Sequence, residues 1–102
     1  MADWIKVSDA GDPPPGQVKV VTPRGERIAL ANVNGEYYAI DDVCTHDGGS
    51  LDQGEVLDYE IECPRHGAHF DLRTGEALTL PAVFPVKAYA VKVVGQEVFI
   101  DL

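Results

Sequence analysis

The chain is poor in cysteine and lacks long apolar runs, and each shortage excludes a class of protein. No apolar stretch approaches the roughly 18 residues that a membrane-spanning helix needs. The first residues hold no basic segment followed by an apolar stretch, so we expect a cytoplasmic protein without a secretory signal. Because that compartment is reducing, the two cysteines are expected to be ligands rather than partners in a disulfide.

Basic residues are also scarce. Eight lysines and arginines face 17 aspartates and glutamates, which gives a formal net charge of −9. Such a charge repels nucleic acid and anionic lipid and favours docking onto basic protein surfaces. We therefore expect neither nucleic acid nor a membrane as a partner. The same charge would also keep a small protein soluble, so it does not identify a partner by itself.

The turn residues indicate the fold class. Residues 1–102 suffice for one core and are expected to form a single domain. Glycine-containing turns recur at short intervals between segments rich in Val, Ile, Ala, Tyr and Phe, a pattern typical of all-β proteins. Asn34 and Gly35 both tolerate positive φ, so they predict a type I′ hairpin between strands near residues 27–33 and 36–41. A second hairpin is predicted at Gly95.

Between residues 41 and 81 the pattern changes. Five of the ten glycines fall in this segment, and only short strands are predicted, near residues 55–57 and 60–62. The segment has the character of a small metal-binding unit inserted into a larger β framework.

Both cysteines and two of the three histidines lie in two short clusters within this segment. Cys44 and His46 form the first cluster, and Cys63 and His66 form the second. The intervening residues, 47–62, suffice for a strand out and a strand back, which would bring the clusters face to face. Two thiolates and two imidazoles suit zinc or an iron–sulfur centre, so the spacing narrows the metal without fixing it.

The two clusters, with the Gly48-Gly49 pair and the run at residues 63–71, resemble the binding loops of a Rieske-type [2Fe-2S] ferredoxin. The resemblance extends from the start at Trp4 through the loop at Pro81 to the closing hairpin. It implies a Rieske-like antiparallel β-sandwich or barrel with a small inserted cluster-binding subdomain. In such a protein Cys44 and Cys63 would hold one iron, buried, while His46 and His66 would hold the other, nearer the surface.

The resemblance also implies a function. Ferredoxins of this kind carry single electrons from a ferredoxin reductase to the terminal oxygenase of bacterial aromatic-ring dioxygenases, docking through the histidine-bearing tip. We expect a monomeric carrier rather than an enzyme, because the sequence supplies neither a nucleophile–base pair nor an open catalytic metal position.

Three alternatives remain open. A small Rieske subunit of a nitrite reductase-like enzyme and a ferredoxin of iron–sulfur assembly would both keep the cluster. A structural zinc module would instead close a tetrahedral site with the same four residues.

Two departures from the respiratory-complex Rieske pattern predict a low reduction potential. Those proteins carry an additional cysteine in each loop, joined as a disulfide, where this chain has Gly49 and Arg65. They also carry a serine and a tyrosine whose hydroxyls donate hydrogen bonds to cluster sulfurs, where this chain has Ala68 and Phe70. Since such bonds stabilise the more negative reduced state, their absence predicts a potential near the bottom of the roughly −150 to +300 mV Rieske range.

Two further groups lie beside the clusters in sequence. His69 follows His66 by three residues; we expect it not to bind metal, although it could tune the potential or partner docking. Asp41, Asp42 and Asp47 flank the first cluster and could form a negative collar for a basic partner. Alternatively, they are ordinary strand-end and turn carboxylates.

Overall fold

The computed structural model describes residues 3–43, 50–64, 67–80 and 84–102. These residues form ten β-strands and one short 3-10 turn, at Pro23–Gly25. The strands are β1 (Trp4–Asp9), β2 (Val18–Val21), β3 (Ile28–Val33), β4 (Glu36–Asp41), β5 (Val56–Leu57), β6 (Glu60–Glu62), β7 (His69–Asp71), β8 (Ala88–Tyr89), β9 (Val91–Val94) and β10 (Glu97–Asp101). Within the described ranges there is no helix of a length and apolarity that could cross a membrane. The all-β class predicted from the turn spacing is confirmed.

The strands form three antiparallel sheets. One sheet has the order β1-β10-β9, the second β2-β3-β4-β8, and the third β5-β6-β7. The first two form the framework, and the third is a small sheet built from residues between 56 and 71.

Both predicted hairpins are present. Asn34 and Gly35 have φ values of 54° and 91°, so both central residues take the positive φ of a type I′ turn, and Val33 pairs with Glu36 on either side. At the other hairpin, Gly95 has a φ of 60° and lies in the turn between β9 and β10.

Strand β3 lies between β2 and β4 in the middle of its sheet, and all six of its residues are buried. Successive side chains of a strand point to opposite faces, so β3 contributes to two cores. Ile28 and Leu30 join the core that β10 covers with Val98 and Ile100. The other face of β3 joins a second core, which extends into the small sheet. That core comprises Ala29, Ala31, Val33, Ile40, Leu51, Ile61, Cys63, Ala68, Phe70, Leu72 and Val86.

Strand β7 was missed at the sequence level. Residues 63–71 were interpreted as one ligand loop, but His69–Asp71 pairs with β6 as a third strand. Three residues are too few for alternation to be visible, and pairing with β6 creates the strand. The limits predicted for the inserted metal-binding unit, residues 41 and 81, stay a prediction.

Candidate metal centre

Cys63 is the one predicted ligand that lies within the described residues. Cys44 and His46 fall in residues 44–49, and His66 falls in residues 65–66, so all three lie outside the described part of the chain. Cys63 directly follows β6, is fully buried and is not in a disulfide. Among the described residues, no group of three or more His, Cys, Asp or Glu side chains converges on a metal position.

The ends of the second ligand loop, which comprises residues 63–68, are held together by two backbone hydrogen bonds. The Cys63 N–H donates to the Ala68 carbonyl at 2.6 Å, and the Gly67 N–H donates to the Cys63 carbonyl at 3.0 Å. Gly67 has a φ of 75°, which favours glycine at that position. The backbone at Cys63 and Ala68 is therefore paired as at the base of a hairpin, and His66 lies between these two residues in the sequence.

The first ligand loop is the segment 44–49, which contains Cys44 and His46. Asp42 joins the chain before this loop to the chain after it. Its Oδ1 accepts hydrogen bonds from the backbone N–H of Leu51 at 2.9 Å and of Asp52 at 2.8 Å. Its Oδ2 accepts a hydrogen bond from the Arg27 guanidinium at 2.9 Å. The side chain of Asp42 is 0% exposed.

Asp42 therefore faces inward and cannot contribute to a negative collar at the surface. Asp41 is also engaged, because the Tyr89 hydroxyl donates to its Oδ1 at 2.6 Å. Burial and this carboxylate together raise the pKa of Tyr89, which keeps the hydroxyl protonated as a donor. Asp47 lies outside the described residues. For the two described carboxylates, the interpretation as strand-end and turn groups fits the geometry better.

Gly54 marks a close approach between the chain that follows the first ligand loop and the strand that precedes Cys63. A Cβ built at Gly54 would lie 1.9 Å from the carbonyl oxygen of Glu62, the residue before Cys63. The Glu62 N–H donates to the Glu55 carbonyl at 2.9 Å across the same contact. Leu51 and Cys63 also belong to one buried cluster. The chain that follows the first ligand loop thus packs directly against the strand that leads into the second.

The environment of Cys63 fits a soft, thiolate-ligated metal. The thiol lies in an apolar core with Ala68 and Phe70, both fully buried, and the side chains at positions 68 and 70 carry no hydroxyl. A buried cysteine without a disulfide partner can supply a thiolate to iron on the inner side of the site. The described part of the donor set therefore fits an iron–sulfur cluster.

His69 lies on β7 with both ring nitrogens facing carboxylates of β6. Its Nδ1 is 3.0 Å from Glu60 Oε1, and its Nε2 is 3.2 Å from Glu62 Oε2. These contacts are consistent with the prediction that His69 does not bind metal. It stays a prediction. The two glutamates are 44% and 39% exposed, so this group forms a polar surface on the small sheet.

Three exposed apolar side chains that follow β7 in the sequence were missed at the sequence level. Leu78, Leu80 and Phe84 are 40%, 77% and 67% exposed. The segment that carries Leu78 is fixed beside β7, because the Leu78 N–H donates to the His69 carbonyl at 2.8 Å. The His69 N–H in turn donates to the Thr79 hydroxyl at 2.9 Å. The signal available in the sequence was the group of three large apolar residues around a segment that contains proline.

The three antiparallel sheets, without a long helix among the described residues, place the chain in the class of all-β proteins, and the buried free thiol of Cys63 follows the second strand of the small sheet. Comparison with known proteins identifies the class further. The family model of the Rieske [2Fe-2S] domain matches residues 3–90, and the chain belongs to this family.

Relatives with curated names are similar over most of the chain. The ferredoxin component of the naphthalene 1,2-dioxygenase system of Pseudomonas aeruginosa is 43% identical over 99 residues, which is 97% of this chain and 95% of the relative. The p-cumate 2,3-dioxygenase ferredoxin component of Pseudomonas putida is 36% identical, covering 100% of this chain and 88% of the relative.

Solved structures agree with these relatives. The ferredoxin of carbazole 1,9a-dioxygenase from Nocardioides aromaticivorans IC177 superimposes with a TM-score of 0.91 at 34% identity, covering 95% of each chain. A complex of reduced oxygenase and oxidized ferredoxin in carbazole 1,9a-dioxygenase contains a chain with a TM-score of 0.90 at 35% identity, covering 96% of this chain and 92% of that one.

These comparisons confirm the Rieske-like fold, the [2Fe-2S] cofactor and the interpretation as an electron-carrying ferredoxin rather than a catalytic subunit. The assignment of individual ligands stays a prediction.

Proposed function

We propose that this protein is the ferredoxin of a bacterial aromatic-ring dioxygenase system. It accepts one electron from a ferredoxin reductase and delivers it to a terminal Rieske non-haem iron oxygenase. The observation that carries the proposal is similarity along nearly the entire chain to ferredoxin components of such systems, at 43% identity in one case. The similarity to a ferredoxin chain solved with its oxygenase supports the choice of partner.

The proposed ligands are Cys44 and Cys63 for one iron and His46 and His66 for the other. The bound cluster supplies a reversible one-electron couple. With two thiolates and two neutral imidazoles the oxidised cluster and its ligands are neutral, and the reduced cluster carries one negative charge. Cys63 supports this assignment because its buried position suits the inner iron.

The exposed apolar residues Leu78, Leu80 and Phe84 support docking through the same end of the molecule. Leu78 is fixed beside β7, Leu80 and Phe84 follow it in the sequence, and Glu60 and Glu62 of the adjacent strand β6 provide exposed negative charge. The fitting partner surface is therefore apolar at its centre and basic at its rim. The further parts of the proposal are a monomeric carrier, a cytoplasmic location and a single domain over residues 1–102 with the cluster unit at about residues 41–81.

The first test is the metal content and spectrum of anaerobically purified protein. Two irons and two sulfides per chain are expected, and the dithionite-reduced protein should give an electron paramagnetic resonance spectrum whose average g value is lower than that of all-cysteine clusters. Colourless protein with stoichiometric zinc would refute the proposal. A midpoint potential above about +100 mV would contradict its low-potential part.

The second test is reconstitution of electron transfer. A dioxygenase reductase with its nicotinamide cofactor should reduce the protein, and oxidised terminal oxygenase should then reoxidise it. The rate should fall as ionic strength rises, because an acidic carrier is steered to a basic partner by charge. Leu80→Ser should slow reoxidation, whereas Val94→Ser, at a site that is also exposed but lies in β9, should not. Capture of a nitrite reductase or of assembly proteins instead would favour the alternative clients.

A further inference from the structure

The Asp42 carboxylate makes more hydrogen bonds than a strand-end residue needs. It accepts bonds from the Leu51 N–H, the Asp52 N–H and the Arg27 guanidinium, at 2.9, 2.8 and 2.9 Å. Its own N–H donates to the Arg27 carbonyl at 3.1 Å. Residue 42 is thus fixed to the beginning of β3 through its backbone and to residues 51–52 through its side chain.

These bonds close a chain segment at its base. Asp42 comes two residues before Cys44, and Leu51 comes five residues after His46. The carboxylate therefore joins the two stems between which the first pair of proposed ligands lies. A loop whose ends are held together loses less conformational entropy when its side chains converge on a metal.

Arg27 makes this arrangement possible. A fully buried carboxylate is stable as an anion only when charge and hydrogen bonds compensate for lost hydration. The Arg27 side chain is 59% exposed, yet it reaches Asp42 at 2.9 Å and approaches Asp52 Oδ1 at 3.8 Å. That Asp52 oxygen is buried and has no hydrogen-bond partner among the described residues, so Arg27 provides the nearby positive charge for both carboxylates.

We propose that Asp42, held by Arg27, is a positioning residue that keeps the first ligand loop closed and thereby retains the [2Fe-2S] cluster. The proposal rests on the ligand set given under the proposed function. Asp42 faces the stems of the loop, so it acts through Cys44 and His46 and needs no contact with the cluster itself. The carboxylate is a hydrogen-bond acceptor in this role, and no change in its protonation is involved.

The chain offers a matched control. Asp71 is also a mostly buried aspartate paired with an arginine, because Arg73 Nη2 lies 3.1 Å from its Oδ2 and its side chain is 12% exposed. Its Oδ1 accepts the Arg73 N–H at 2.7 Å. These contacts of Asp71 are local, since they involve the turn that follows β7 and no residue on either side of the first ligand loop. Removing Asp71 therefore removes a similar ion pair without opening that loop.

The experiment compares the cluster-loaded wild type with Asp42→Ala, Asp42→Asn, Arg27→Gln and Asp71→Ala. Cluster release is followed anaerobically by loss of visible absorbance in the presence of an iron chelator, at a temperature well below unfolding of every variant. Asp42→Ala should release the cluster at least about tenfold faster, since it removes three hydrogen bonds. Asp42→Asn and Arg27→Gln should be intermediate, because the first keeps an acceptor for the stem amides and the second leaves the carboxylate in place. Asp71→Ala should stay within about twofold of wild type.

Two further measurements separate positioning from general stability. The reduced Asp42→Ala protein should give a broadened electron paramagnetic resonance spectrum, and amide exchange at Leu51 and Asp52 should accelerate in the oxidised, cluster-loaded protein. Asp71→Ala should change neither. If Asp42→Ala does not fold, Arg27→Gln carries the same test, because its side chain is largely exposed.

Release from Asp42→Ala or Arg27→Gln at the wild-type rate, with the wild-type spectrum, would overturn the proposal. Equal acceleration in Asp71→Ala would also overturn it, since any buried ion pair would then suffice. Wild-type protein without iron and sulfide would instead refute the proposed function, and is thereby distinguished from a cluster-loaded wild type with unaffected variants.

Discussion

Gly54→Ala tests the close approach between the segment after the first ligand loop and the strand before Cys63. The added Cβ would lie 1.9 Å from the Glu62 carbonyl oxygen and 3.0 Å from the Leu51 carbonyl oxygen. The two segments must separate by at least 1.1 Å before the shorter contact reaches 3.0 Å. Both obstacles are backbone atoms, so no side-chain rotation can relieve the clash.

The separation disrupts hydrogen bonds that hold the contact. The Gly54 N–H donates to the Leu51 carbonyl at 2.9 Å, and the Glu62 N–H donates to the Glu55 carbonyl at 2.9 Å. Each bond contributes about 1 kcal/mol, and a buried group left without a partner costs about 1–3 kcal/mol. We expect Gly54→Ala to lower the free energy of unfolding by about 3–5 kcal/mol, a large part of the roughly 5–15 kcal/mol of a typical domain.

Gly16→Ala is the matched control. Gly16 has a φ of 82°, but an added Cβ would meet nothing within 4 Å, so alanine there brings only backbone strain of about 1–2 kcal/mol. Both variants change the entropy of the unfolded chain in the same way, so that contribution cancels in the comparison. Urea unfolding followed by far-ultraviolet circular dichroism gives the two free energies, and visible absorbance gives the cluster content.

Because Glu62 precedes Cys63, Gly54→Ala should also lower the cluster content of the purified protein, whereas Gly16→Ala should not. A Gly54→Ala protein as stable as Gly16→Ala, with a full complement of iron, would refute the reasoning. The close approach would then be incidental to the site.

Three other predictions concern potential, acid stability and the core. Phe70→Tyr adds a hydroxyl to the buried cluster that contains the Cys63 thiol and should raise the midpoint potential by about 50–100 mV in voltammetry. The reason is that one hydrogen bond favours the reduced state, and about 59 mV corresponds to a tenfold change in a one-electron equilibrium constant. An unchanged or lowered potential would contradict this prediction. The Arg73 guanidinium holds the pKa of Asp71 below its ordinary value, so the carboxylate stabilises the fold above its unfolded pKa of about 3.9 and loses that contribution as the pH falls through the folded pKa. Asp71→Asn should therefore show a shallower loss of urea stability on acidification below about pH 4, and an acid profile parallel to wild type would contradict the assignment. Ile100→Ala, at a fully buried site, should cost about 2–5 kcal/mol in the same assay, whereas Val94→Ala, at 55% exposure, should cost less than about 0.5 kcal/mol, and equal losses would be inconsistent with the two-core packing.

The parts of the fold that could be predicted are those determined by local residues. The Asn34-Gly35 hairpin was predicted correctly because a type I′ turn requires positive φ at two adjacent positions, and few residue pairs allow it. The hairpin at Gly95 was also predicted from its turn residue, and Gly95 takes a positive φ of 60° between β9 and β10. Strand β7 depends on pairing with β6, so its three residues carried no local signal.

The orientation of the carboxylates beside the first ligand loop could not be predicted for the same reason. Asp42 follows Asp41 and comes two residues before the proposed ligand Cys44. An exposed side chain is the usual outcome for an aspartate at such a position. Its partner Arg27 is 15 positions away, and the amides that it binds are 9 and 10 positions away. The pairing of β3 with β4 brings Arg27 beside Asp42, and the chain at residues 51 and 52 supplies the amides. A candidate for partner docking thus proved to be part of the scaffold.

Basic side chains of the described chain are largely committed to internal contacts. The five in ion pairs are Lys6, Lys19, Arg24, Arg27 and Arg73. Two more, Lys87 and Lys92, lie over the aromatic rings of Tyr89 and Trp4, at 4.9 and 4.3 Å from the ring centroids. The carboxylates that exceed these basic groups in number account for the net charge of −9.

This charge distribution has a consequence for turnover of the carrier. Reduction adds one negative charge at the cluster, so the reduced form binds a basic partner more tightly than the oxidised form does. For one partner charge at about 10 Å in water the difference is about 0.4 kcal/mol, roughly a twofold change in affinity. An interface that excludes water increases this difference, because the effective dielectric constant falls. With the proposed ligands the oxidised cluster is neutral, so delivery of the electron would weaken the complex with a basic partner and favour release of the carrier after transfer.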